Sequence, residues 1–212
     1  MDALKYISNK YDLDLNKASP IEISNMGRDN LTQLFAELGF KVGAEIGTER
    51  GYYAKVLCRA NPELKLYCID AWIAYPDFRE HVTQSKIDEI YRDAQERLSP
   101  FNCKLMKSFS ADAVGKFDDK SLDFVYIDSN HKYEYIIQDL TLWSKKVKPG
   151  GIVAGHDYII PRNNPKMKYG IVEAVNEYTE SHNITPWFLI GTKAKVPGEV
   201  RDSSRSWMWV QS

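Results

Sequence analysis

Several features are scarce or missing in this sequence, and each shortage excludes a class of protein. Only 3 of the 212 residues are cysteine, without Cys-x-x-Cys spacing, so neither a disulfide scaffold nor a zinc ribbon is expected. No apolar run approaches the roughly 20 residues of a membrane span. Residues 1–6 also lack the basic stretch and apolar stretch of a secretory signal. We therefore expect a soluble, cytoplasmic protein with free thiols and no membrane partner.

The sequence also has no excess of charge of either sign. Lysine and arginine total 28 and aspartate and glutamate total 29, which leaves a formal net charge of −1. Because phosphate neutralisation dominates nucleic-acid affinity, a chain without a basic excess is not expected to bind nucleic acid. Hydrophobic residues make up 43% of the chain, which is enough for one buried core.

Short apolar runs alternate with stretches of helical spacing along most of the chain. The runs that end at turn residues predict strands at 40–46, 64–70, 103–106, 122–128 and 152–155. Two late runs, 187–190 and 207–210, have no helix between them and are expected to pair antiparallel. The pattern predicts an α/β fold with a doubly wound, Rossmann-like sheet that is mostly parallel, with an antiparallel strand at one edge.

We interpret residues 1–212 as a single domain, since the length suits one core. Residues 1–39 are predicted to be a helical N-terminal extension that Gly39 ends, and residues 40–212 form the Rossmann-like core. Residues 71–100 are charged, longer than a usual loop and helical from Gln84 to Leu98. We expect them to be an insertion that acts as a lid, and with residues 159–168 to close over a ligand.

Polar or small residues follow the end of each predicted parallel strand, where doubly wound sheets bind ligands. They are Glu45 with Gly47, Asp70, Ser108 to Ser110, Asp128, and His156 with Asp157. Any one of them is explained as a polar residue leaving a strand. The five strand ends together favour a binding site.

The first of these turns has the pattern Glu-x-Gly-x-x-x-Gly. Gly47 permits a tight turn and close approach of a ligand, and Gly51 lets the next helix start against the sheet. Asp70 ends the second predicted strand, where a carboxylate can accept both hydroxyls of a ribose. The spacing departs from that of dinucleotide binders, and Glu45 would repel a pyrophosphate. The turn therefore favours a cationic nucleoside over NAD.

Two further runs, Phe124 to Tyr133 and Pro149 to Tyr158, complete a recognisable set of motifs. They contain Ile-Asp-x-x-His-x-Tyr, and Pro-Gly-Gly followed by His-Asp-Tyr. With the glycine turn and Asp70, they make roughly residues 40–160 resemble a class I S-adenosylmethionine-dependent methyltransferase. The second half is similar to the macrocin O-methyltransferase-like branch. The resemblance implies S-adenosyl-L-methionine as the cofactor.

The same resemblance assigns residues to the cofactor pocket. Glu45 and Gly47 would lie near the methionine moiety, Asp70 would hold the ribose, and Phe109 and Ser110 would border the adenine. Trp72 is an alternative stacking partner for the adenine. Three neighbours of these residues also belong to the predicted pocket: Thr48, Gly51 and Ala71. Asp128, at the end of the predicted strand 122–128, completes it.

Asp128 and Asp157 end predicted neighbouring strands, so their carboxylates can share a cation. Two oxygen ligands with open water positions suit Mg²⁺ or Mn²⁺, with His156 as a further ligand. Such an ion would orient a substrate hydroxyl and lower its pKa, so Asp128 is also predicted to be catalytic. His131 begins the next helix, whose positive end favours a neutral imidazole that can act as the catalytic base. Alternatively, these residues only cap the helix or order a loop.

The sequence thus predicts an enzyme that transfers a methyl group from S-adenosylmethionine to a hydroxyl of a small molecule, with the help of a divalent metal. A metal-free methyltransferase with His131 as the base is the first alternative, and a non-catalytic module that binds the nucleoside is the second. An NAD-linked oxidoreductase is third. No motif identifies the acceptor, and a homodimer is left open.

Overall fold

The computed structural model describes residues 2–75, 83–160 and 170–212. The predicted lid over residues 71–100 and 159–168 therefore lies partly outside the described residues, and its closure stays a prediction. No helix in the described part of the chain is both long and apolar enough to cross a membrane.

One eight-stranded sheet forms the centre of the fold, with the strand order β1-β7-β8-β6-β5-β2-β3-β4. The strands, in chain order, are β1 Ile21–Ile23, β2 Val42–Ile46, β3 Lys65–Asp70, β4 Cys103–Lys107, β5 Leu122–Ile127, β6 Val147–Gly155, β7 Trp187–Ile190 and β8 Ser206–Val210. Their pairings are parallel except those of β8, which runs antiparallel to both β6 and β7.

Helices cover both faces of the sheet. In chain order they are α1 Ala3–Tyr11, α2 Arg28–Glu37, α3 Tyr52–Ala60, α4 Gln84–Leu98, α5 Ser110–Ala113, α6 Tyr133–Trp143 and α7 Ile171–Ser181. Short 3₁₀ turns extend α5 to Lys116 and α6 to Lys146. The predicted doubly wound α/β fold, mostly parallel with an antiparallel strand toward one edge, is confirmed.

Two details of the sheet differ from the sequence pattern. Strand β1, from the segment expected to be only helical, pairs parallel to β7 and places the antiparallel strand inside the edge. Its three residues are too few to show an alternating pattern. Strand β6 begins at Val147, before the Pro-Gly-Gly run, whereas the predicted strand starts only at residue 152. The sheet therefore continues through the glycines instead of starting after them.

The centre of the sheet is tightly packed against the N-terminal helices. Every residue of β5 is buried. Phe124 on β5 stacks on Phe35 of α2, with 4.2 Å between the ring centroids. Gly43 is paired with Phe124 on the neighbouring strand, and a methyl group at residue 43 would overlap the Phe124 ring. Because Phe35 stacks on a face of that ring, the ring has little room to move away from a methyl group at residue 43.

We predict that Gly43→Ala destabilises the protein by about 1–3 kcal/mol, the usual cost of overpacking a core. Gly115→Ala is the matched control, because a methyl group there meets nothing within 4 Å. Urea unfolding followed by circular dichroism measures both. Equal unfolding midpoints for the two variants would show that β2 and β5 are not packed as described.

Candidate active site

The carboxyl ends of three neighbouring strands meet at the same level and define the site. Ile46, Ile127 and Gly155 are aligned across β2, β5 and β6. The Asp128 amide continues this ladder by donating to the Ile46 carbonyl at 2.8 Å, and the His156 amide donates to the Ile127 carbonyl at 3.1 Å. The residues that follow these strands are therefore held by backbone hydrogen bonds.

Asp128, His131 and Asp157 converge at this edge. Each offers one ligand atom, and these atoms all lie within 4.8 Å of one another. The Nε2 atom of His131 is 3.3 Å from Asp157 Oδ2 and 3.6 Å from Asp128 Oδ1. The expectation that the two carboxylates lie close together thus agrees with the structure. Two carboxylates and an imidazole form a donor set that fits a divalent cation whose remaining positions are water or substrate oxygen.

His156, which we expected to be a metal ligand, lies outside this cluster. Its Nδ1 is 3.3 Å from Asp157 Oδ1, and its Nε2 is 3.6 Å from Asp202 Oδ1. Burial disfavours the imidazolium, but the hydrogen bonds to Asp157 and Asp202 outweigh burial and raise the pKa of His156 to about 9. Both ring nitrogens of His156 thus face carboxylates, and in this arrangement His156 holds Asp157 in place. Its role as a metal ligand stays a prediction.

Arg28 is a site residue that the sequence analysis missed. It begins α2, and its Nη2 is 2.6 Å from Asp128 Oδ2, across 100 residues of chain. The guanidinium carbon lies 4.1 Å from the centroid of the Tyr53 ring and 5.2 Å from that of Tyr126. The N-terminal segment therefore adds a fixed positive charge to the site, while Asp128 Oδ1 faces His131. No local sequence signal distinguishes Arg28 from an ordinary residue in the first turn of a helix.

Glu45 points into the protein beside this arginine. Its side chain is only 2% exposed, and its Oε2 has no hydrogen-bond partner among the described residues. Burial raises the pKa of Glu45 to about 8, although Arg28 and Thr48 partly offset the effect. The carboxyl is therefore mostly protonated at neutral pH. The sequence analysis treated it as an anion.

Gly47 and Gly51 are both required by backbone geometry. Gly47 has φ +93°, and a side chain there would overlap the backbone carbonyl of Asp128. Gly51 has φ +73° and precedes α3, close to the Leu98 side chain. Gly51 thus precedes a helix, as predicted, whereas the close approach of a ligand at Gly47 stays a prediction. The loops after β2 and β5 consequently touch at Gly47.

Asp70 organises the next turn through its two carboxylate oxygens. Oδ2 accepts the Glu49 amide and Oδ1 accepts the Trp72 amide, both at 2.9 Å. Glu49 and Trp72 have left-handed backbone, with φ of 48° and 41°, as does Asp157 with φ of 56°. Such conformations are costly in non-glycine residues and persist where surrounding contacts enforce them, as they often do at functional sites. Asp70 supplies those contacts for the turn that includes Ala71.

The residues expected around an adenine are placed in different environments. Phe109 is 44% exposed beside Tyr75, with 5.4 Å between their ring centroids. Trp72 is 2% exposed, donates its indole N–H to the Glu49 carbonyl and packs on Tyr91. The Trp72 ring therefore has no open face for an adenine, whereas the Phe109 ring does.

Ser110 belongs to a buried network that the sequence analysis did not foresee. Its hydroxyl donates to Asp139 and accepts the Trp143 indole N–H at 2.7 Å. The second oxygen of Asp139 accepts the Ser129 hydroxyl at 2.6 Å. Asp139, on α6 and 3% exposed, thus joins the loop after β4 to the loop that carries Asp128. Its position on the apolar side of a helix was the signal that could have identified it.

Comparisons with known proteins identify a family and agree with the fold. A family described as a methyltransferase domain matches residues 44–158. The O-methyltransferase TomG from Streptomyces achromogenes, which is involved in tomaymycin synthesis and was solved in complex with SAM, is 20% identical. The match covers 100% of this chain and 91% of TomG, with a TM-score of 0.59. The O-methyltransferase from Bacillus cereus in complex with SAH is 17% identical over 99% of this chain and 89% of its own, with a TM-score of 0.61. No curated protein sequence gives a significant match.

The buried network predicts a pH-dependent stability. Burial raises the pKa of Asp139 from 3.8 to about 6, against the lowering effect of the two serine hydroxyls. Because the folded pKa lies above the unfolded one, this contribution to stability is complete below about pH 4 and is lost as the pH rises through 6. Relative to Asp139→Asn, the wild type should lose about 2 kcal/mol of unfolding free energy between about pH 4.5 and 7. Urea unfolding across this pH range measures the difference.

The control for this measurement is Asp118→Asn, which alters an exposed carboxylate next to the amino end of β5. The unfolding free energy of Asp118→Asn should change with pH as that of the wild type does. If Asp139→Asn also parallels the wild type, Asp139 is not the buried carboxyl that the geometry describes.

Proposed function

This chain belongs to the methyltransferase-domain family of class I S-adenosylmethionine-dependent methyltransferases, and we propose that it methylates a hydroxyl group of a small molecule with the help of a divalent cation. The observation that carries the proposal is the convergence of Asp128, His131 and Asp157 at the strand ends, next to the Gly47 turn. The cofactor would lie over that turn, with its methyl group directed toward the three side chains.

The turn after β2 is suited to a cationic nucleoside ligand. Glu45 Oε2 and Arg28 Nε are buried without hydrogen-bond partners among the described residues. Buried polar atoms without partners are rare in folded proteins and commonly mark a place for a ligand or water. A cationic ligand beside Glu45 would favour the ionised carboxylate. Asp70, whose carboxylate ends β3 beside this turn, would bind the ribose hydroxyls.

The other half of the proposed site concerns the acceptor. Asp128 and Asp157 would hold Mg²⁺ or Mn²⁺, and His131 would either complete this set or remove the proton from the acceptor hydroxyl. When bound, the ion would supply positive charge that lowers the pKa of a hydroxyl beside it. The chain's own contribution is alignment, because Arg28 fixes one face of Asp128 and His156 fixes Asp157. The small-molecule acceptor is inferred from the O-methyltransferase neighbours.

A metal-free methyltransferase is the second candidate, and one contact favours it. Arg28 already places a cation 2.6 Å from Asp128 Oδ2, in a position to balance its charge. In that case His131 alone would act as the base, oriented by Asp157. Activity that survives EDTA treatment would support this candidate, and activity lost with EDTA and restored by Mg²⁺ or Mn²⁺ would support the leading proposal.

For the cofactor site, we predict that S-adenosylhomocysteine binds the wild type in a calorimetric titration, whereas NAD does not. Asp70→Ala should weaken binding by about 1–3 kcal/mol, because hydrogen bonds to a charged group are lost. Asp118→Ala removes an exposed carboxylate near the amino end of β5, away from the carboxyl ends of the strands. This variant should bind S-adenosylhomocysteine as the wild type does. Unchanged affinity in a folded Asp70→Ala variant would contradict the ribose assignment.

We predict that variants of the cation ligands and of the base lose different properties. Asp128→Asn or Asp157→Asn should abolish Mn²⁺ binding, seen by electron paramagnetic resonance, and metal-dependent turnover, while S-adenosylhomocysteine still binds. If His131 is the base, His131→Ala should lower turnover about 10²–10⁴-fold and retain Mn²⁺. Turnover is the S-adenosylhomocysteine released with a panel of phenolic and sugar hydroxyl compounds.

The matched control is His182→Ala, which alters an exposed histidine at the end of α7. This variant should change neither Mn²⁺ binding nor turnover. Loss of Mn²⁺ in His131→Ala would make His131 a ligand instead of the base. Mn²⁺ binding that is equal in the wild type and both asparagine variants would exclude the proposed cation site while leaving the cofactor site untouched.

A further inference from the structure

The three cysteines, which are far apart in sequence, come together where α3 packs against the early parts of β3 and β4. Cys58 lies on α3, Cys68 on β3, and Cys103 is the first residue of β4. All three are free thiols. The Sγ atoms of Cys58 and Cys103 are 3.4 Å apart, which is direct contact between sulfur atoms. Free thiols are predicted from the sequence, but their contact is visible only in the structure.

The two contacting cysteines differ in exposure. Cys58 is 2% exposed, whereas Cys103 lies at the start of an edge strand and is partly exposed. Cys103 is paired with Leu66 in the sheet register, so Cys68 lies two residues further along β3 and reaches Cys103 diagonally, with its thiol as a second hydrogen-bond partner. Cys58 approaches Cys103 from the helix above the sheet. Its sulfur needs to move little more than 1 Å to reach the roughly 2.05 Å of a disulfide bond.

We propose that Cys58 and Cys103 are a reversible oxidation site that forms a disulfide when the protein meets hydrogen peroxide. The Cys103 thiolate attacks one peroxide oxygen and breaks the O–O bond, which leaves a sulfenic acid on Cys103 and releases water after proton uptake. The Cys58 thiol then attacks the Cys103 sulfur, loses its proton and displaces the hydroxyl group as a second water. Two thiols are oxidised by two electrons, and one peroxide is reduced to two waters.

The surroundings of Cys103 suit the first step. Hydrogen bonds from the Cys58 and Cys68 thiols lower the pKa of Cys103, and this effect exceeds the opposing effect of burial. The thiolate is the reactive form of cysteine. The same contact that favours the thiolate therefore holds the second thiol ready for the second step.

The bond would connect two elements that each lead to a turn of the proposed cofactor site at their other end. It would join α3, which follows the Gly47 turn, to β4, which precedes Phe109, and would close the chain between residues 58 and 103 into a loop. That loop contains β3 and Asp70. Because a crosslink restricts the unfolded chain, the oxidised protein should unfold at a higher denaturant concentration.

The experiment uses the full-length reduced protein treated with hydrogen peroxide. Thiol titration should show that the three free thiols fall to one. Peptide mapping by mass spectrometry under non-reducing conditions should find Cys58 linked to Cys103. The urea midpoint should rise, and dithiothreitol should restore both the thiol count and the original midpoint.

Variants separate the proposed pair from the third cysteine. Cys58→Ser and Cys103→Ser should each abolish the intramolecular bond, and Cys68→Ser, the matched control, should retain it. The peptide map of the wild type decides the pairing even if a serine variant fails to fold. A Cys68–Cys103 bond, a bond between two molecules, sulfinic acid on Cys103 without any bond, or three unchanged thiols would each overturn the proposal.

Discussion

The contact between Gly47 and the Asp128 carbonyl is the constraint on which the site depends. Strands β2 and β5 are direct neighbours in the sheet, and the loops that leave them have no room for a side chain between them. The proposed cofactor turn and the residues proposed to act on the acceptor are therefore in van der Waals contact. Methyl transfer needs this closeness, because donor and acceptor must be aligned within bonding reach.

Charges around this contact are arranged so that neighbouring groups fix one another. Arg28 holds one oxygen of Asp128, and the protonated His156 holds Asp157, so the free sides of both carboxylates face His131. Asp139 ties the loop after β4 to the loop of Asp128 through two serines. The edge that carries the proposed site is thus held by contacts from several elements. Preorganisation of this kind is what a site that works mainly by alignment requires.

The sequence pattern predicted most of the fold because each element carries its own signal. Helix α4 has the predicted limits, Gln84–Leu98, and strand β7 has the predicted limits, Trp187–Ile190. Strand β1 was missed because three residues are too short for a period to be read. The start of β6 was also misplaced, because Pro149 and the glycines after it look like a break although β6 continues through them.

The sequence by itself determined the order of helices and strands and the polar residues that leave the strand ends, including Asp70, Asp128 and Asp157. Those features are local, since they depend on hydrophobic periodicity and on which residue follows a strand. Only the tertiary structure decided that Arg28 pairs with Asp128, that His131 and not His156 joins the two carboxylates, and that Cys58 meets Cys103. These are contacts between distant parts of the chain, which arise from how helices pack on the sheet. The ionisation of Glu45 and His156 was likewise decided there, because burial and paired carboxylates exist only in the folded chain.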